Sequence, residues 1–374
     1  MNNHIYFVKH FHTIPPGYGG VSVYVKRLML ALCKNNYISG AFYREEKAGI
    51  PSQYMHLLHK FPSHSRSLFI LPEIFKLLRI FRKYKIIHAH TSLTTCFCLW
   101  LTRKVLNKPI VYTIHNQMID RELLPLNLID KFCLSSLAKD QGVQFITVNQ
   151  QAKEMLKNLG YFFKNDIKVV PPYVAPVEIG DAKDYLDQEL VYFLKISTKF
   201  LLFYAESFAT LNGNDIYGTK IVVELYCKLR QKHSDLKMIF CLSNLRKDRV
   251  KLNELKDIIK NAGYENDVYW QIGAISEMWP LLKKATILIR PTITDGDSIM
   301  IREALASGLP VIASDVTKRP LGCIVYSYDN ENELLEKTLT ILNNPYRKTY
   351  QQMDYTNEIL NIYNKLLIQK DENI

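Results

Sequence analysis

Apolar positions along the chain alternate between the spacing of buried strands and the spacing of amphipathic helices. Short, largely apolar runs occupy residues 5–8, 86–90, 110–114 and 145–148, and such runs are typical of strands buried on both faces. After the first run, apolar residues recur every three or four positions from Val21 to Leu32, as on one face of a helix. Strands that alternate with helices predict parallel sheets.

The alternation is interrupted between residues 171 and 188, where prolines, a glycine and acidic residues indicate a linker. It restarts with strands at 200–204, 238–242 and 268–272 and helices at 220–230 and 249–261. Because 374 residues exceed what one hydrophobic core usually supports, we expect an α/β fold of two doubly wound parallel-sheet domains facing a cleft. Their predicted limits are 1–175 and 176–350, and a C-terminal helix in 351–374 is expected to pack back toward the N-terminal domain.

One strand-loop-helix-strand unit, residues 287–315, carries the strongest signal for a site. Its loop contains Asp295, Gly296 and Asp297, and a helix is predicted to open at Ser298. Helix N-termini bind anions through free N–H groups, and Asp295 and Glu303 flank this helix start. The alternative is that these acids only complement the helix dipole. Asp295-Gly296-Asp297 also spells a metal-binding pattern, but other hard ligands are absent nearby, so no metal is expected.

Three polar residues follow predicted strands in the N-terminal half, namely His90, His115 and Asn149. The carboxyl ends of parallel strands form the ligand edge of a doubly wound sheet, so these residues are candidates for a site. Histidines that only form structural hydrogen bonds are the alternative. A loop with Gly17, Gly19 and Gly20 follows the first strand, without the spacing of a dinucleotide fingerprint.

Charge is uneven along the chain, whose formal net charge is +12. Residues 1–175 contain 23 Lys and Arg against 9 Asp and Glu, a net +14, whereas the remainder is at −2. This excess indicates an acidic partner such as anionic lipid, a phosphorylated acceptor or nucleic acid, or else merely solvated lysines. No recognition motif accompanies the charge, so nucleic acid is not expected.

The segment from Pro72 to Lys85 predicts a basic amphipathic helix. Such a helix can lie on an anionic membrane surface, or it can pack on a sheet with a solvated basic side. Its apolar face would comprise Ile74, Leu77, Leu78 and Phe81, and its basic face Lys76, Arg79, Arg82 and Lys83.

Seven scattered cysteines and the lack of an apolar run of membrane-spanning length indicate a cytoplasmic protein. The cysteines are expected to be reduced and buried, and no signal peptide is recognised at the N-terminus. The basic segment from Pro72 to Lys85 further predicts that the protein can associate peripherally with the inner face of the cytoplasmic membrane.

The second-domain unit resembles the signature of the family-4 retaining glycosyltransferases of GT-B fold, of the bacterial cell-surface polysaccharide type. That signature reads Glu-Gly-Phe-Gly-Leu, three variable residues, then Glu-Ala, followed by Gly and Pro-Val-Ile-Ala. Here Asp295-Gly296-Asp297-Ser298-Ile299 is followed after three residues by Glu303-Ala304, and then by a segment ending in Pro310-Val311-Ile312-Ala313. Asp295 therefore stands where the family has its first glutamate.

The resemblance implies a role for each matched residue. Glu303 would bind the ribose hydroxyls of a nucleotide sugar, Asp295 the sugar hydroxyls, and the loop and helix start the diphosphate. His115 matches the active-site histidine that contacts the donor sugar. The remaining implied donor contacts are Gly19, Gly20, Gly296, Asp297, Ser298 and Ile299.

The family's Arg and Lys after the first strand of the second domain have no counterpart here, since Tyr217 precedes Gly218. Arg290, Lys220 and Arg246 are the candidates to replace them at the diphosphate, and Arg290 is the best placed.

The resemblance implies two Rossmann-like domains, an acceptor-binding one with His90 and Asn149 on the acceptor side, and a donor-binding one. It implies transfer of a sugar from a UDP- or GDP-sugar to a lipid-linked or polysaccharide acceptor in capsule, O-antigen or lipopolysaccharide synthesis. No metal or other cofactor is expected. The alternatives are a sugar-nucleotide epimerase of the same fold and a non-catalytic sugar- or nucleotide-binding protein.

Overall fold

The chain forms two compact units, of which the first comprises Met1–Gly17, Val21–Val174 and Asp354–Ile374, and the second Tyr18–Gly20 and Ala175–Met353. The computed structural model describes residues 6–14, 19–44, 50–61, 71–90, 96–115, 127–176, 181–245, 248–275 and 277–371.

The first unit contains a seven-stranded parallel sheet with the strand order β3-β2-β1-β4-β5-β6-β7. Its strands are β1 Tyr6–Thr13, β2 Ser39–Tyr43, β3 His59–Lys60, β4 Tyr84–Ala89, β5 Ile110–Ile114, β6 Val143–Thr147 and β7 Lys168–Val169. The helices are α1 Gly19–Lys34, whose first two residues group with the second unit, α2 Leu71–Phe81, α3 Cys96–Leu106, α4 Leu128–Ala138, α5 Gln150–Asn158 and the C-terminal α12 Thr356–Asp371. The strand order reverses between β1 and β4, which is where doubly wound sheets bind ligands.

The second unit contains a six-stranded parallel sheet with the order β12-β11-β8-β13-β14-β15, and its order reverses between β8 and β13. The strands are β8 Lys199–Ala205, β11 Leu236–Leu242, β12 Val268–Ile272, β13 Ile287–Arg290, β14 Val311–Ser314 and β15 Ile324–Tyr326, besides a hairpin of β9 Thr210–Leu211 and β10 Asn214–Asp215. The helices are α6 Gln188–Ile196, α7 Thr219–Arg230, α8 Arg249–Asn261, α9 Trp279–Leu282, α10 Ile299–Ala306 and α11 Glu331–Asn343.

Strand β8 shows why both faces of this sheet are covered. Leu201 and Phe203 belong to a core cluster that includes buried residues of α7, α8 and α11. Phe200 and Leu202, which point the other way, belong to a cluster that includes buried residues of α6, α9 and α10. Two buried faces explain the nearly continuous apolar runs, and the predicted pair of doubly wound parallel sheets is confirmed.

The helix predicted from Pro72 to Lys85 is wrong at its end, because α2 stops at Phe81 and β4 begins at Tyr84. Tyr84 lies three positions after Phe81 and so continues the helical spacing, although it is a buried strand residue. The predicted apolar face is buried: Ile74, Leu77, Leu78 and Phe81 are at most 9% exposed.

The seven cysteines are free thiols, of which Cys96, Cys98, Cys133 and Cys241 are buried and the other three are partly exposed. Within the described ranges, no helix combines the length and the apolar character needed to cross a membrane.

Gly218, the residue before α7, brings this helix close to the loop that follows β13. Its φ is +66°, and a Cβ at this position would lie 2.6 Å from the carbonyl oxygen of Pro291. Gly263 has a similar φ of +78°, but no atom within 4 Å of the same hypothetical Cβ. A side chain at either position would therefore meet the same backbone strain, but only at Gly218 would it also be crowded.

We predict that Gly218→Ala destabilises the protein more than Gly263→Ala. In both variants the free energy of unfolding falls by about 1–2 kcal/mol, because alanine is strained in the left-handed conformation. In Gly218→Ala it falls by roughly 1–3 kcal/mol more, because the new methyl group overpacks the site. Urea unfolding of both variants measures the difference, and equal losses would contradict the close approach to Pro291.

Candidate functional site

In the first unit, the predicted residues His90 and His115 lie together at the carboxyl ends of β4 and β5. Nδ1 of His90 is 3.2 Å from Nε2 of His115, and Nε2 of His90 is 3.0 Å from Nδ1 of His10 on β1. His10 was missed in the sequence analysis, because a strand-interior histidine gives no signal of its own. The structure thus joins residues from three neighbouring strands into one cluster.

Burial keeps these histidines neutral. Burial, followed by the charge of His12, lowers the pKa of His115 to about 3. Burial, followed by Lys9 and His12, lowers the pKa of His10 to about 3, and burial with the neighbouring histidines lowers the pKa of His90 well below its ordinary value. At physiological pH, His115 is therefore a neutral hydrogen-bonding group.

The other candidates in this half have different positions. Asn149 is the N-cap of α5, and its side chain accepts a hydrogen bond from the backbone N–H of Ala152 at 2.8 Å, which is a structural role. Gly19 and Gly20 form the first turn of α1, while Gly17 lies outside the described residues.

In the second unit, the loop after β13 is held by a buried ion cluster. The carboxylate of Asp295 accepts hydrogen bonds from Arg290 Nε at 3.1 Å and Nη2 at 3.2 Å, and from Arg319 Nη1 at 2.8 Å. These three side chains are at most 10% exposed. Arg319 also donates to the backbone oxygen of Ser314, at the end of β14, at 2.8 Å.

The cluster determines the charge of its members. Burial alone would raise the pKa of Asp295, but Arg290 and then Arg319 outweigh it and hold the pKa of this carboxyl below its ordinary value. Arg290, expected at the diphosphate, is thus paired with Asp295, expected at the sugar. Arg319 was missed in the sequence analysis, and its only signal is its position shortly after β14, beside β13 in the sheet.

Asp297 is paired as well. Arg302 Nε donates to Asp297 Oδ1 at 2.6 Å, and Arg302 Nη2 donates to Oδ2 at 2.5 Å. Both carboxylates flanking Gly296 are therefore bound to guanidinium groups, and these pairings hold the loop.

Helix α10 starts immediately after this loop. Ser298 is its N-cap residue, makes no capping hydrogen bond through its side chain, and is 9% exposed. The first N–H groups of a helix, here from Ile299 onward, have no acceptor within the helix and can bind an anion. Glu303 lies on the same helix and is 6% exposed.

The start of α7 is occupied in a different way. Asp215 accepts hydrogen bonds from the N–H of Tyr217 at 2.9 Å and the N–H of Thr219 at 2.6 Å. Lys220 is exposed on α7 and pairs with Glu224 at 3.6 Å. Arg246 lies outside the described residues. Of these two helices, α7 thus has its first N–H bound by a carboxylate, whereas α10 has no side-chain cap.

Two family models match the chain. The model described as Glycosyltransferase Family 4 matches residues 18–177, and the model described as Glycosyl transferases group 1 matches residues 210–344. No curated protein sequence matches the chain significantly.

Several solved structures share the fold. HepE from Anabaena, in complex with UDP and glucose, has 14% sequence identity over 98% of both chains, with a TM-score of 0.66. Sucrose-phosphate synthase from Thermosynechococcus elongatus has 14% identity over 98% of both chains, with a TM-score of 0.64. A Listeria monocytogenes protein assigned as UDP-N-acetylglucosamine 2-epimerase has 14% identity over 90% of this chain and 88% of its own, with a TM-score of 0.57. These likenesses identify the fold as GT-B.

We predict that Asp295→Asn destabilises the protein by about 3 kcal/mol or more at pH 7, because it leaves buried guanidinium charge uncompensated. The pKa of Asp295 is lowered on folding, so its contribution is present above the unfolded value near 3.8 and is lost as the pH falls through the folded value. Urea unfolding from pH 7 to pH 3 should therefore show a difference from the native protein that narrows below about pH 4.

The exposed Asp257→Asn variant on α8 is the control and should unfold like the native protein at both ends of this range. A loss for Asp295→Asn that does not change with pH would contradict the role of the ionised carboxylate.

Proposed function

Because the chain belongs to the nucleotide-sugar-dependent glycosyltransferases of Glycosyltransferase Family 4, we propose that it transfers a sugar from a UDP-sugar to a lipid-linked or polysaccharide acceptor in cell-surface glycan synthesis. In this proposal the transferred sugar keeps the anomeric configuration that it has in the donor. HepE, which was solved with UDP, supports the choice of nucleotide.

The start of α10 carries the proposal. The diphosphate accepts hydrogen bonds from the N–H groups of Ser298 and Ile299 and from the Ser298 hydroxyl, which makes no cap bond. Glu303 accepts hydrogen bonds from the ribose hydroxyls, as acidic residues do in other nucleotide sites. The start of α7 is a poor alternative, because the Asp215 carboxylate already binds the N–H of Thr219, its first residue, and that of Tyr217 just before it.

The ion cluster next to this helix supplies the cationic charge. One carboxylate, Asp295, faces two guanidinium groups, Arg290 and Arg319, so the cluster has one net positive charge. Glycosyl transfer builds negative charge on the departing diphosphate, and fixed positive charge nearby stabilises it. In this proposal the cluster replaces the Arg and Lys of the family pattern, and Asp295 positions the arginines.

His115 is assigned to the donor sugar by its match to the family histidine. Its neutrality suits a hydrogen bond to a sugar hydroxyl rather than proton transfer. The oxocarbenium-like transition state needs no strong base, because the leaving diphosphate can accept the proton of the attacking hydroxyl.

The epimerase alternative rests on the shared fold of the Listeria protein. An epimerase would release a free epimer of the sugar nucleotide without an acceptor, whereas a transferase consumes the donor in an acceptor-dependent way. Product analysis with and without acceptor separates the two functions.

We propose that α2 and the residues just after it dock on an anionic membrane through their basic side chains, without inserting an apolar face. The apolar face of α2 is buried, whereas Lys76, Arg79, Arg82 and Lys83 are exposed. Basic residues near an anionic bilayer contribute about 1 kcal/mol each.

We predict that Glu303→Gln lowers UDP affinity by roughly tenfold or more, since hydrogen bonds to a charged group are worth about 1.5–3 kcal/mol. Titration calorimetry with UDP, GDP, dTDP and CMP measures this, and Glu254→Gln on the exposed face of α8 is the control. Absence of binding by all four nucleotides would contradict the proposed function, and unchanged UDP affinity in Glu303→Gln would remove Glu303 from the site.

We also predict that the native protein co-sediments with vesicles containing anionic lipid and that the triple charge reversal of Arg79, Arg82 and Lys83 releases it. Neutral vesicles are the control. Binding that survives the charge reversal would contradict docking through this surface.

A further inference from the structure

A continuous chain of hydrogen bonds runs through buried side chains to His115. Ser39 Oγ on β2 is 3.1 Å from His10 Nε2, His10 Nδ1 is 3.0 Å from His90 Nε2, and His90 Nδ1 is 3.2 Å from His115 Nε2. Ser39 and His10 are fully buried and His90 is 3% exposed. The chain therefore connects the interior of the sheet to its ligand edge.

Hydrogen bonds, rather than a metal ion, account for the ring nitrogens of the histidine cluster. Within the described residues, His10, His88 and His90 have ligand atoms close enough to hold one. However, all of their ring nitrogens already form hydrogen bonds, those of His88 with Tyr363 and Thr113 at 2.6 and 2.7 Å. A metal ion would have to break this network.

Neutral imidazoles restrict the chain to two arrangements. Each ring has one N–H donor and one bare nitrogen acceptor, so a proton on Nδ1 of one ring requires Nε2 of the next ring to be bare. Consequently His10, His90 and His115 are either all protonated on Nδ1 or all protonated on Nε2. A mixed arrangement places two donors or two lone pairs face to face in a buried site.

Ser39 decides between the two arrangements. With all protons on Nδ1, the Ser39 hydroxyl donates to His10 Nε2, His10 donates to His90, and His90 donates to His115. Every buried donor of the hydrogen-bond chain then has an acceptor. With all protons on Nε2, His10 donates to Ser39, and the Ser39 O–H then forms no hydrogen bond with any of the described residues. A buried donor without an acceptor is costly, so the first arrangement is favoured.

We propose that Ser39, His10 and His90 are positioning residues that hold His115 in the Nδ1–H tautomer, so that His115 presents a hydrogen-bond donor to its ligand. Building on the proposed function, this ligand atom is an acceptor oxygen of the donor sugar. A role for His115 as hydrogen-bond acceptor, or as a charged acid, is thereby excluded.

The test is long-range ¹H–¹⁵N NMR of the ligand-free, histidine-labelled full chain at pH 7, which distinguishes protonated from bare ring nitrogens. We expect His10, His90 and His115 to be neutral with the proton on Nδ1. A proton on Nε2 of any of the three, or a doubly protonated ring, would overturn the proposal. Because no nucleotide is added, this result is independent of whether UDP binds.

Variants of His10 test the coupling at a distance, because the His10 ring is hydrogen-bonded to Ser39 and His90 and not to His115. His10→Phe should produce a mixture of His115 tautomers, whereas His10→Asn, whose amide can donate to His90, should retain Nδ1–H. His88→Phe, which removes an equally buried histidine outside the chain, should leave His115 unchanged. An unaltered His115 spectrum in a folded His10→Phe variant would also overturn the proposal. If that variant does not fold, the tautomers measured in the native protein alone test the proposal.

Discussion

The shared carboxylate of Asp295 is the interaction on which the candidate site of the second unit depends. It binds Arg290 at the end of β13 and Arg319 beyond β14, so it connects two neighbouring strand ends across the loop. Buried ion pairs of this kind add little net stability compared with apolar packing, but removing one partner is costly. Their consequence here is geometric, because the loop and the start of α10 are held in one arrangement.

The first unit places polar groups at the same kind of sheet edge without net charge. Lowered pKa values keep His10 and His115 neutral, and the histidines satisfy one another. The two clusters thus differ in charge: the buried histidines are neutral, whereas Asp295, Arg290 and Arg319 are ionised. A paired cluster with one excess positive charge suits a diphosphate, whereas a neutral donor suits a sugar oxygen.

The doubly wound sheets, the D-G-D loop and the helix after it were predictable, because buried parallel strands and helix starts have local signatures. The arrangement of the site was not. Asp295 and Arg319 are 24 positions apart, and His10 and His90 are 80 positions apart, so no local pattern indicates that they pair. The end of α2 was missed because Tyr84 fits helical spacing, and the capping of α5 by Asn149 was not anticipated.

The most direct test of the account is to follow backbone amide chemical shifts of the full chain by NMR as UDP is added. If the diphosphate binds at the start of α10, the largest changes will occur at the N–H groups of Ser298 and Ile299. Largest changes at Thr219 and Lys220, at the start of α7, would contradict the account, and so would the absence of any change in the second unit.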